Sequence, residues 1–227
     1  MRYKVLNLYA GVGGNRKLWE NVDVTAVEID PSIAHAYAAL YPDDEVVVDD
    51  AHQYLLEHFR EFDFIWSSPP CQSHSGMRQH LRVRYGKGVE PVFPDMRLYE
   101  EIIFLQANAE PNCAWVIENV KPYYGPLIEP TAILQRHLYW SNFEILEAEF
   151  PKSHLRSDQI QGLQEYLGID LSAFKISNRR QVLRNCVLPA IGQHVFNSSI
   201  REREDYIRLD PNKPAPDLAL EFPEGLF

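Results

Sequence analysis

Short apolar runs alternate with helical segments between residues 4 and 117 of this chain. The predicted strands lie at residues 4–9, 22–28, 46–48, 62–66 and 113–117. The predicted helices lie between them, at residues 14–20, 31–41, 51–60 and 96–109. Strands separated by helices pair in parallel, so the pattern predicts an α/β fold with a doubly wound, mostly parallel sheet. A ligand of such a sheet binds at the carboxyl ends of its strands.

The second half of the chain has a different pattern. A further strand is expected at residues 138–145, an irregular and partly helical insert at 147–177, and an apolar run at 182–196. The proline-rich end is expected to be extended or loosely packed. We therefore expect four segments: a catalytic domain (1–142), a short recognition insert (143–178), a return to the catalytic domain (179–200) and a tail (201–227).

Composition excludes several classes of protein. The chain has 227 residues, 45% of them hydrophobic, which argues against disorder, and no long uncharged apolar run predicts a membrane span. Cys71, Cys113 and Cys186 are scattered, which favours a reducing compartment over a disulfide framework and is not zinc-ligand spacing. We expect a cytoplasmic protein with no signal peptide, no membrane association and no bound metal.

The charge of the chain is unevenly distributed. Its formal net charge is −10, which by itself argues against a polyanionic partner. Residues 76–97 nevertheless have a local balance of +3, from five basic residues against Glu90 and Asp95. Nucleic acid responds to the local surface that it meets, so this basic segment leaves a nucleic-acid partner open.

A glycine-rich turn follows the first predicted strand. Residues 7–14 read Asn-Leu-Tyr-Ala-Gly-Val-Gly-Gly, and Glu28 ends the second strand. Glycines allow the backbone to approach a bound nucleoside, and an acid at the second strand can accept from ribose hydroxyls. Dinucleotide-binding dehydrogenases share these features, but Arg16 stands where their third glycine would be.

Two further motifs follow strands four and five. Residues 67–75 read Ser-Ser-Pro-Pro-Cys-Gln-Ser-His-Ser, which places Cys71 behind two prolines that restrict the loop. This setting favours a nucleophile over a structural cysteine. Residues 117–121 read Ile-Glu-Asn-Val-Lys, and a carboxyl group at Glu118 could hold or donate a proton to a heteroaromatic ring nitrogen. Taken alone, Glu118 could equally be a salt-bridge partner.

Together these motifs resemble the cytosine-C5 DNA methyltransferases, in particular small members of the phage or restriction-modification type. Pro70-Cys71-Gln72 matches the catalytic Pro-Cys-Gln of that family, and residues 118–120 match its Glu-Asn-Val. Residues 9–14 and 27–30 are similar to its cofactor-binding motifs, residues 135–139 to its basic motif, and residues 184–191 to its last motif.

The resemblance implies a Rossmann-like methyltransferase fold, S-adenosyl-L-methionine as methyl donor and double-stranded DNA as partner. Its catalytic residues would be Cys71, which adds to C6 of a flipped-out cytosine, Glu118, which holds N3, and Arg136, on the O2 side. Its cofactor-binding residues would be Tyr9, Gly11, Gly13, Gly14, Glu28, Ile29, Asp50, Pro70 and Asn185. Its nucleic-acid contacts would be Gln72, Ser75, Arg78, Arg82, Arg84, Asn119 and His137. Residues 76–94 would form a mobile lid over the DNA.

The sequence departs from the family in two places. The basic motif usually has two alternating arginines, whereas His137 and Leu138 follow Arg136 here, so the residue that meets the phosphate or the cytosine carbonyl stays open. The recognition insert has only about forty residues, below the usual size of an independent domain. Target recognition must therefore be compact.

Three alternatives to a DNA methyltransferase stay open. The related branch of the family methylates cytosine in tRNA and shares Pro-Pro-Cys-Gln. A non-catalytic accessory protein could keep the fold without turnover, although the presence of both Cys71 and Glu118 argues against it. A nicotinamide-dependent dehydrogenase is disfavoured by Arg16 and by the Cys71 and Glu118 motifs.

Overall fold

The computed structural model describes residues 2–76, 80, 90, 92–151 and 159–209. The strands are β1 (Tyr3–Leu8), β2 (Val22–Val27), β3 (Glu45–Val47), β4 (Phe64–Ser67), β5 (Ala114–Val120), β6 (Ala132–Leu134) and β7 (His137–Ser141). The helices are α1 (Pro31–Leu40), α2 (Ala51–His58), α3 (Arg97–Asn108), α4 (Ile160–Leu167), α5 (Arg179–Asn185) and α6 (Pro189–Leu209). Two short 3₁₀ helices cover Arg16–Leu18 and Phe59–Glu61.

The described strands form one sheet in the order β3-β2-β1-β4-β5-β7-β6. Strands β1 to β5 are parallel, and β7 runs antiparallel to both β5 and β6. The predicted α/β fold with a mostly parallel, doubly wound sheet is confirmed. The strand order reverses between β1 and β4, and the crevice at such a reversal is where open α/β sheets bind ligands.

Adjacent residues of the central strands face opposite sides of the sheet, as strand geometry requires. Phe64 packs on one side, in a cluster with Trp19 and with Phe196 of α6. Ile65 packs on the other side, in a cluster that includes side chains of α2 and α3. Both faces of the sheet are therefore covered, which explains why its central strands are almost continuously apolar.

Some predicted element boundaries are wrong. The helix expected at residues 14–20 is only a single turn of 3₁₀ helix, because Trp19 is extended and turns into the core. The strand expected at 138–145 ends at Ser141, and β6 was not predicted because its three residues are too few to show a period. Helix α6 continues to Leu209, so the first part of the expected loose tail is helical.

The insert expected at residues 143–178 shares an apolar core with other parts of the chain. Leu163 and Leu167 of α4 lie in one apolar cluster with Leu183 of α5 and Ala36 of α1. The described part of the insert therefore packs against α1 and α5 rather than as a separate body.

Arg16 explains why the third fingerprint glycine is missing. Its guanidinium donates to both carboxylate oxygens of Asp44, at 2.8 and 2.9 Å, and to the carbonyl of Trp19 at 2.8 Å. The Asp44 side chain is almost fully buried and also accepts from the Tyr37 hydroxyl at 2.9 Å. Arg16 thus stabilises the turn that follows the glycine loop, by hydrogen bonds that a glycine could not make.

Helix α6 packs directly against the glycine turn. The Trp19 indole N–H donates to the carbonyl of Gly192 at 3.0 Å. A Cβ added to Gly192 would overlap the backbone of Asn15, with its Cα only 2.6 Å away. Only glycine allows this approach of helix and turn.

We expect Gly192→Ala to lower the free energy of unfolding by about 1–3 kcal/mol, because the added methyl group meets rigid backbone. Gly125→Ala is the control, since a Cβ there meets nothing within 4 Å. Urea unfolding followed by circular dichroism measures both changes. Equal stabilities of the two variants would contradict the close packing of α6 on the turn.

Candidate active site

A cavity of about 510 Å³ opens at the carboxyl ends of the central strands. Its walls come from the glycine loop after β1, the end of β2, the loop after β4, the end of β5, the start of β7, and α5 with the residues after it. Predicted site residues in the wall are Tyr9, Gly11, Gly14, Glu28, Ile29, Pro70, Cys71, Gln72, Ser75, Glu118, Asn119, Arg136, His137 and Asn185. The fold thus brings residues from both halves of the sequence to one site.

The glycine loop has a left-handed backbone at Tyr9, Gly11 and Gly13. A Cβ on Gly11 would meet nothing within 4 Å, so its backbone is open to approach. Gly13 does not line the cavity, and a Cβ added to it would overlap the ring of Tyr41. A Cβ added to Gly14 would lie only 2.6 Å from the carbonyl oxygen of Val187. Gly11 therefore faces the cavity, whereas Gly13 and Gly14 allow close packing.

Glu28 supports the loop from the end of β2. Its carboxylate accepts from the backbone N–H of Gly11 and of Asp30, each at 2.9 Å. Burial raises the pKa of Glu28, and these hydrogen bonds oppose the rise. The carboxylate is therefore fixed at the cavity wall beside the glycine loop.

Cys71 begins a tight turn after Pro69 and Pro70. Its carbonyl accepts from the backbone N–H of His74 at 3.1 Å and of Ser75 at 3.0 Å. Burial and the negative charge of Glu118 raise the pKa of the Cys71 thiol, and the charge of Arg136 acts in the opposite direction. The side chain therefore rests as a thiol whose ionisation depends on the charges around it.

Glu118 is 6% exposed and lies at the end of β5. The Ser68 hydroxyl donates to its Oε2 at 2.9 Å, and the Trp66 indole donates to Ser68 Oγ at 2.8 Å. Its Oε1 lies 3.8 Å from His137 Nε2. One oxygen of Glu118 is thus held by a hydrogen bond, and the other lies beside a histidine that is too distant for one.

The side chain of Asn119 makes its hydrogen bonds to other groups of the protein. Its amide donates to the carbonyl of Pro69 at 3.0 Å and accepts from the Val120 N–H at 2.9 Å, and the residue is 1% exposed. It was predicted as a nucleic-acid contact, but the structure places its side chain between β5 and the Cys71 loop. The bond to Pro69 holds the Cys71 loop against the strand that carries Glu118.

Arg136 and His137 differ in their surroundings. Arg136 is exposed, and its Nη2 donates to the carbonyl of Arg184 at 3.2 Å. His137 is buried beside Glu118, and burial lowers its pKa. The structure therefore places a largely neutral imidazole, rather than a second guanidinium, next to Glu118.

Four further predicted residues are not placed at the cavity. The Asp50 carboxylate caps α2, where it accepts from the N–H of His52 at 2.9 Å, and it lies 3.6 Å from Arg97 Nη1. Its role is explained by the helix start that it stabilises. Arg78, Arg82 and Arg84, together with most of the predicted lid, lie outside the described residues.

The sequence analysis missed Glu101, a carboxylate on α3 that is 1% exposed. Its Oε1 accepts from the Tyr9 hydroxyl at 2.6 Å and contacts His52 Nδ1 at 2.9 Å, and its Oε2 accepts from Ser67 at 2.6 Å. The hydrogen bond to Glu101 raises the pKa of His52. An acid on the apolar face of a predicted helix was the available signal, since such an acid needs buried partners.

Neither a membrane span nor a metal cluster is found in the part of the chain that the structure describes. No described helix is long and apolar enough to cross a bilayer. The described His, Cys, Asp and Glu side chains form no group of three or more that could hold a metal ion.

The family model of the C-5 cytosine-specific DNA methylases matches residues 3–126. The chain belongs to this family. The matched span includes the glycine loop, Glu28, the Cys71 loop and Glu118, and it ends before Arg136 and α5. The expected resemblance is therefore confirmed for the part of the site that carries Cys71 and Glu118. No curated protein sequence is significantly similar to the chain.

Solved structures with a similar fold include several methyltransferases. A mutant of DNMT2 from Spodoptera frugiperda is 23% identical, and the match covers 55% of this chain and 38% of that chain with a TM-score of 0.37. A SAM-dependent methyltransferase from Agrobacterium tumefaciens is 15% identical, with 55% and 40% covered and a TM-score of 0.37. The methyltransferase EhMeth from Entamoeba histolytica is 19% identical, with 53% and 38% covered and a TM-score of 0.33. This chain covers less than half of the length of each of these proteins.

We expect Glu101→Ala to lower the free energy of unfolding by about 3 kcal/mol, because it leaves the Tyr9 and Ser67 hydroxyls without their buried acceptor. Glu100→Ala removes the neighbouring, exposed carboxylate, which lies 3.4 Å from His52, and should cost less than about 0.5 kcal/mol. Urea unfolding of both variants measures the difference. Similar losses would show that the buried bonds of Glu101 add little.

We expect Glu118→Gln to speed alkylation of Cys71 by iodoacetamide at pH 8 about threefold or more, because removing the negative charge lowers the thiol pKa. Peptide mass spectrometry follows the modified site over time. Glu20→Gln, which removes one exposed charge before β2, should leave the rate unchanged. A slower or unchanged rate in Glu118→Gln would contradict the electrostatic coupling of the two side chains.

Proposed function

We propose that this protein transfers a methyl group from S-adenosyl-L-methionine to C5 of a flipped-out cytosine in double-stranded DNA. The transfer proceeds through a transient covalent bond between Cys71 Sγ and C6 of the base. One observation carries the proposal: Cys71 and Glu118 line the same cavity as the glycine loop and Glu28. A nucleophile and a nucleoside-binding loop are thus open to one enclosed space.

The cofactor side of the cavity suits an adenosyl group. Gly11 offers open backbone, Glu28 offers a fixed carboxylate for the ribose hydroxyls, and Tyr9 and Ile29 offer apolar surface to the adenine. Pro70 and Asn185 complete the set that we assign to the cofactor. When bound, S-adenosyl-L-methionine supplies an electrophilic methyl group on a sulfonium centre.

The Cys71 thiolate activates the base. C5 of cytosine is a weak nucleophile, and addition of the thiolate to C6 converts the C5–C6 unit into an enamine that is nucleophilic at C5. After C5 has received the methyl group, it loses its proton to a base or to water, and the electron pair expels the thiolate. The cysteine is regenerated and cytosine regains its aromatic ring, so the protein is unchanged at the end.

Glu118 and the neighbouring basic residues support this addition. A protonated Glu118 would hold N3 of the ring and disperse the charge that develops when the thiolate adds. Arg136, at the cavity wall, favours the thiolate form of Cys71 and faces the side where we place the O2 atom. The binding of substrate next to Glu118 thus changes the charge that sets the Cys71 pKa.

The target nucleotide must leave its helix to reach the cavity. Cys71 and Glu118 line one cavity and Glu118 is 6% exposed, so a base inside a stacked duplex cannot contact both. Base flipping exposes the ring to such a pocket at a cost of a few kcal/mol. Gln72 and Ser75, which follow Cys71 in the wall, are placed to contact the displaced nucleotide, and we assign sequence recognition to the short insert at residues 143–178.

We expect Cys71→Ser to abolish methyl transfer and Glu118→Gln to lower kcat by about 10²–10⁴-fold, because the second change removes the proton donor to N3. Transfer of tritium from labelled S-adenosyl-L-methionine to duplex DNA measures both. Cys113→Ser is the matched control, since Cys113 lies in the core away from the cavity.

The covalent step has its own readout. A duplex with 5-fluorocytosine at the target position cannot lose its C5 substituent as a proton, so wild-type protein should form a stable adduct whose mass equals protein, methyl group and DNA. Cys71→Ser should form none, and Cys113→Ser should form it normally. Transfer to tRNA but not to duplex DNA would assign the protein to the RNA-methylating branch. Cofactor binding without transfer to either would indicate an accessory protein.

A further inference from the structure

The segment from residue 171 to residue 200 has an unusual charge pattern. It contains four basic residues, Lys175, Arg179, Arg180 and Arg184, and no aspartate or glutamate. The whole chain has a formal net charge of −10. The run therefore has a formal charge of +4, opposite in sign to that of the whole chain.

Helix α5 carries three of these four bases and borders the cavity. Gln181, Arg184 and Asn185 lie in the cavity wall, and the Gln181 amide donates to Asn185 Oδ1 at 2.7 Å. Arg136 Nη2 donates to the carbonyl of Arg184, which joins the start of β7 to the end of α5. Arg136 and Arg184 are therefore in contact in the part of the cavity wall that lies between Glu118 and α5.

The basic residues of α5 have two different environments. Arg179 Nη2 donates to the carbonyl of Phe174 at 2.8 Å, so this side chain is part of the packing of the insert. Arg180 is exposed and lies one helical turn before Arg184, and residues at this spacing share one face of a helix. The basic surface thus extends along α5 from Arg184, in the cavity wall, to Arg180 outside it.

The face of α5 that carries these arginines has a fixed position. Leu183, which lies in the core beneath the helix, is 1% exposed and packs with Leu163 and Leu167 of α4. Because the helix is held by this apolar cluster, the orientation of its exposed face is set before any partner binds. A preorganised basic face loses little entropy when it binds an anion.

We propose that Arg180 and Arg184 bind the DNA backbone phosphates that flank the flipped nucleotide. This inference rests on the proposed function and adds a second contact surface, across the cavity from the loop after Cys71. A nucleotide drawn into the cavity brings its neighbouring phosphates to the cavity wall, which Arg184 lines and which Arg180 adjoins one helical turn away. Arginine suits this task because its planar, permanently charged group donates two parallel hydrogen bonds to phosphate oxygens.

The salt dependence of DNA binding tests the surface. Each phosphate contact contributes about 0.9 to the slope of log K against log salt concentration. We therefore expect the double variant R180Q/R184Q to reduce the slope by about 1.8, and to weaken binding by a similar factor for duplexes of different sequence. Fluorescence anisotropy with a labelled duplex, over a range of salt concentrations, measures both quantities.

The matched control is R2Q/R60Q, which removes two positive charges away from the cavity. Both arginines are exposed there and paired with acids, Arg2 with Asp23 and Arg60 with Glu110. The slope of this control should equal that of the wild type, because only net charge has changed. Equal slopes for the two double variants would overturn the proposal.

A single variant guards against misfolding. Arg180 is exposed, so R180E should fold, as thermal unfolding would show, and should weaken DNA binding more than R180Q does. Unchanged DNA binding by R180E would also overturn the proposal, and so would a dependence on these arginines that is found for tRNA alone.

The same experiment distinguishes failure of the proposed DNA-binding surface from failure of the proposed methyl transfer. Wild-type methyl transfer to the same duplex is measured alongside the binding. Salt-dependent binding through α5 without methyl transfer would remove the proposed function and keep the surface. Methyl transfer with no effect of R180Q/R184Q on binding would keep the function and remove the surface.

Discussion

The buried carboxylate of Glu101 is the interaction on which the site depends. It lies on α3 and accepts from Tyr9 after β1 and from Ser67 at the end of β4, and it contacts His52 in α2. These residues belong to the segments that lead to the glycine loop and to the Cys71 loop. Glu101 therefore joins the glycine loop to the end of β4 in addition to the sheet pairing, and its burial is tolerable because each oxygen has a donor.

The positions of Cys71 and Glu118 are set by hydrogen bonds between the loop after β4 and strand β5. Glu118 is held by Ser68, and the Cys71 loop is held by Asn119 through the carbonyl of Pro69. Both bonds join the loop after β4 to β5, so the Cys71 loop and the Glu118 carboxyl group are held by neighbouring strands. Burial, and then the negative charge of Glu118, raise the pKa of the Cys71 thiol.

The sequence predicted the sheet and much of the cavity because both depend on local patterns. Alternating apolar runs located β1 to β5, and the motifs around Gly11, Cys71 and Glu118 lie where parallel strands end. The Asp50 side chain makes a local helix cap, which is a pattern that the sequence does contain. The use of Asn119 instead depends on a contact with the distant residue Pro69, which local patterns do not encode. Glu101 was missed for the same reason, since its three partners come from separate segments of the chain, and β6 is too short to have a recognisable period.

The packing of α6 on the glycine turn affects how the protein is made. Residues 14 and 15 lie against Val187 and Gly192, and Trp19 donates to Gly192, so the turn is completed by a part of the chain synthesised long after it. A ribosome releases β1 well before it releases α6, and domains fold as units once their segments have emerged. Since Phe196 of α6 also packs against Phe64 of β4, the nascent polypeptide completes both the glycine turn and one face of its sheet only after α6 has left the ribosome.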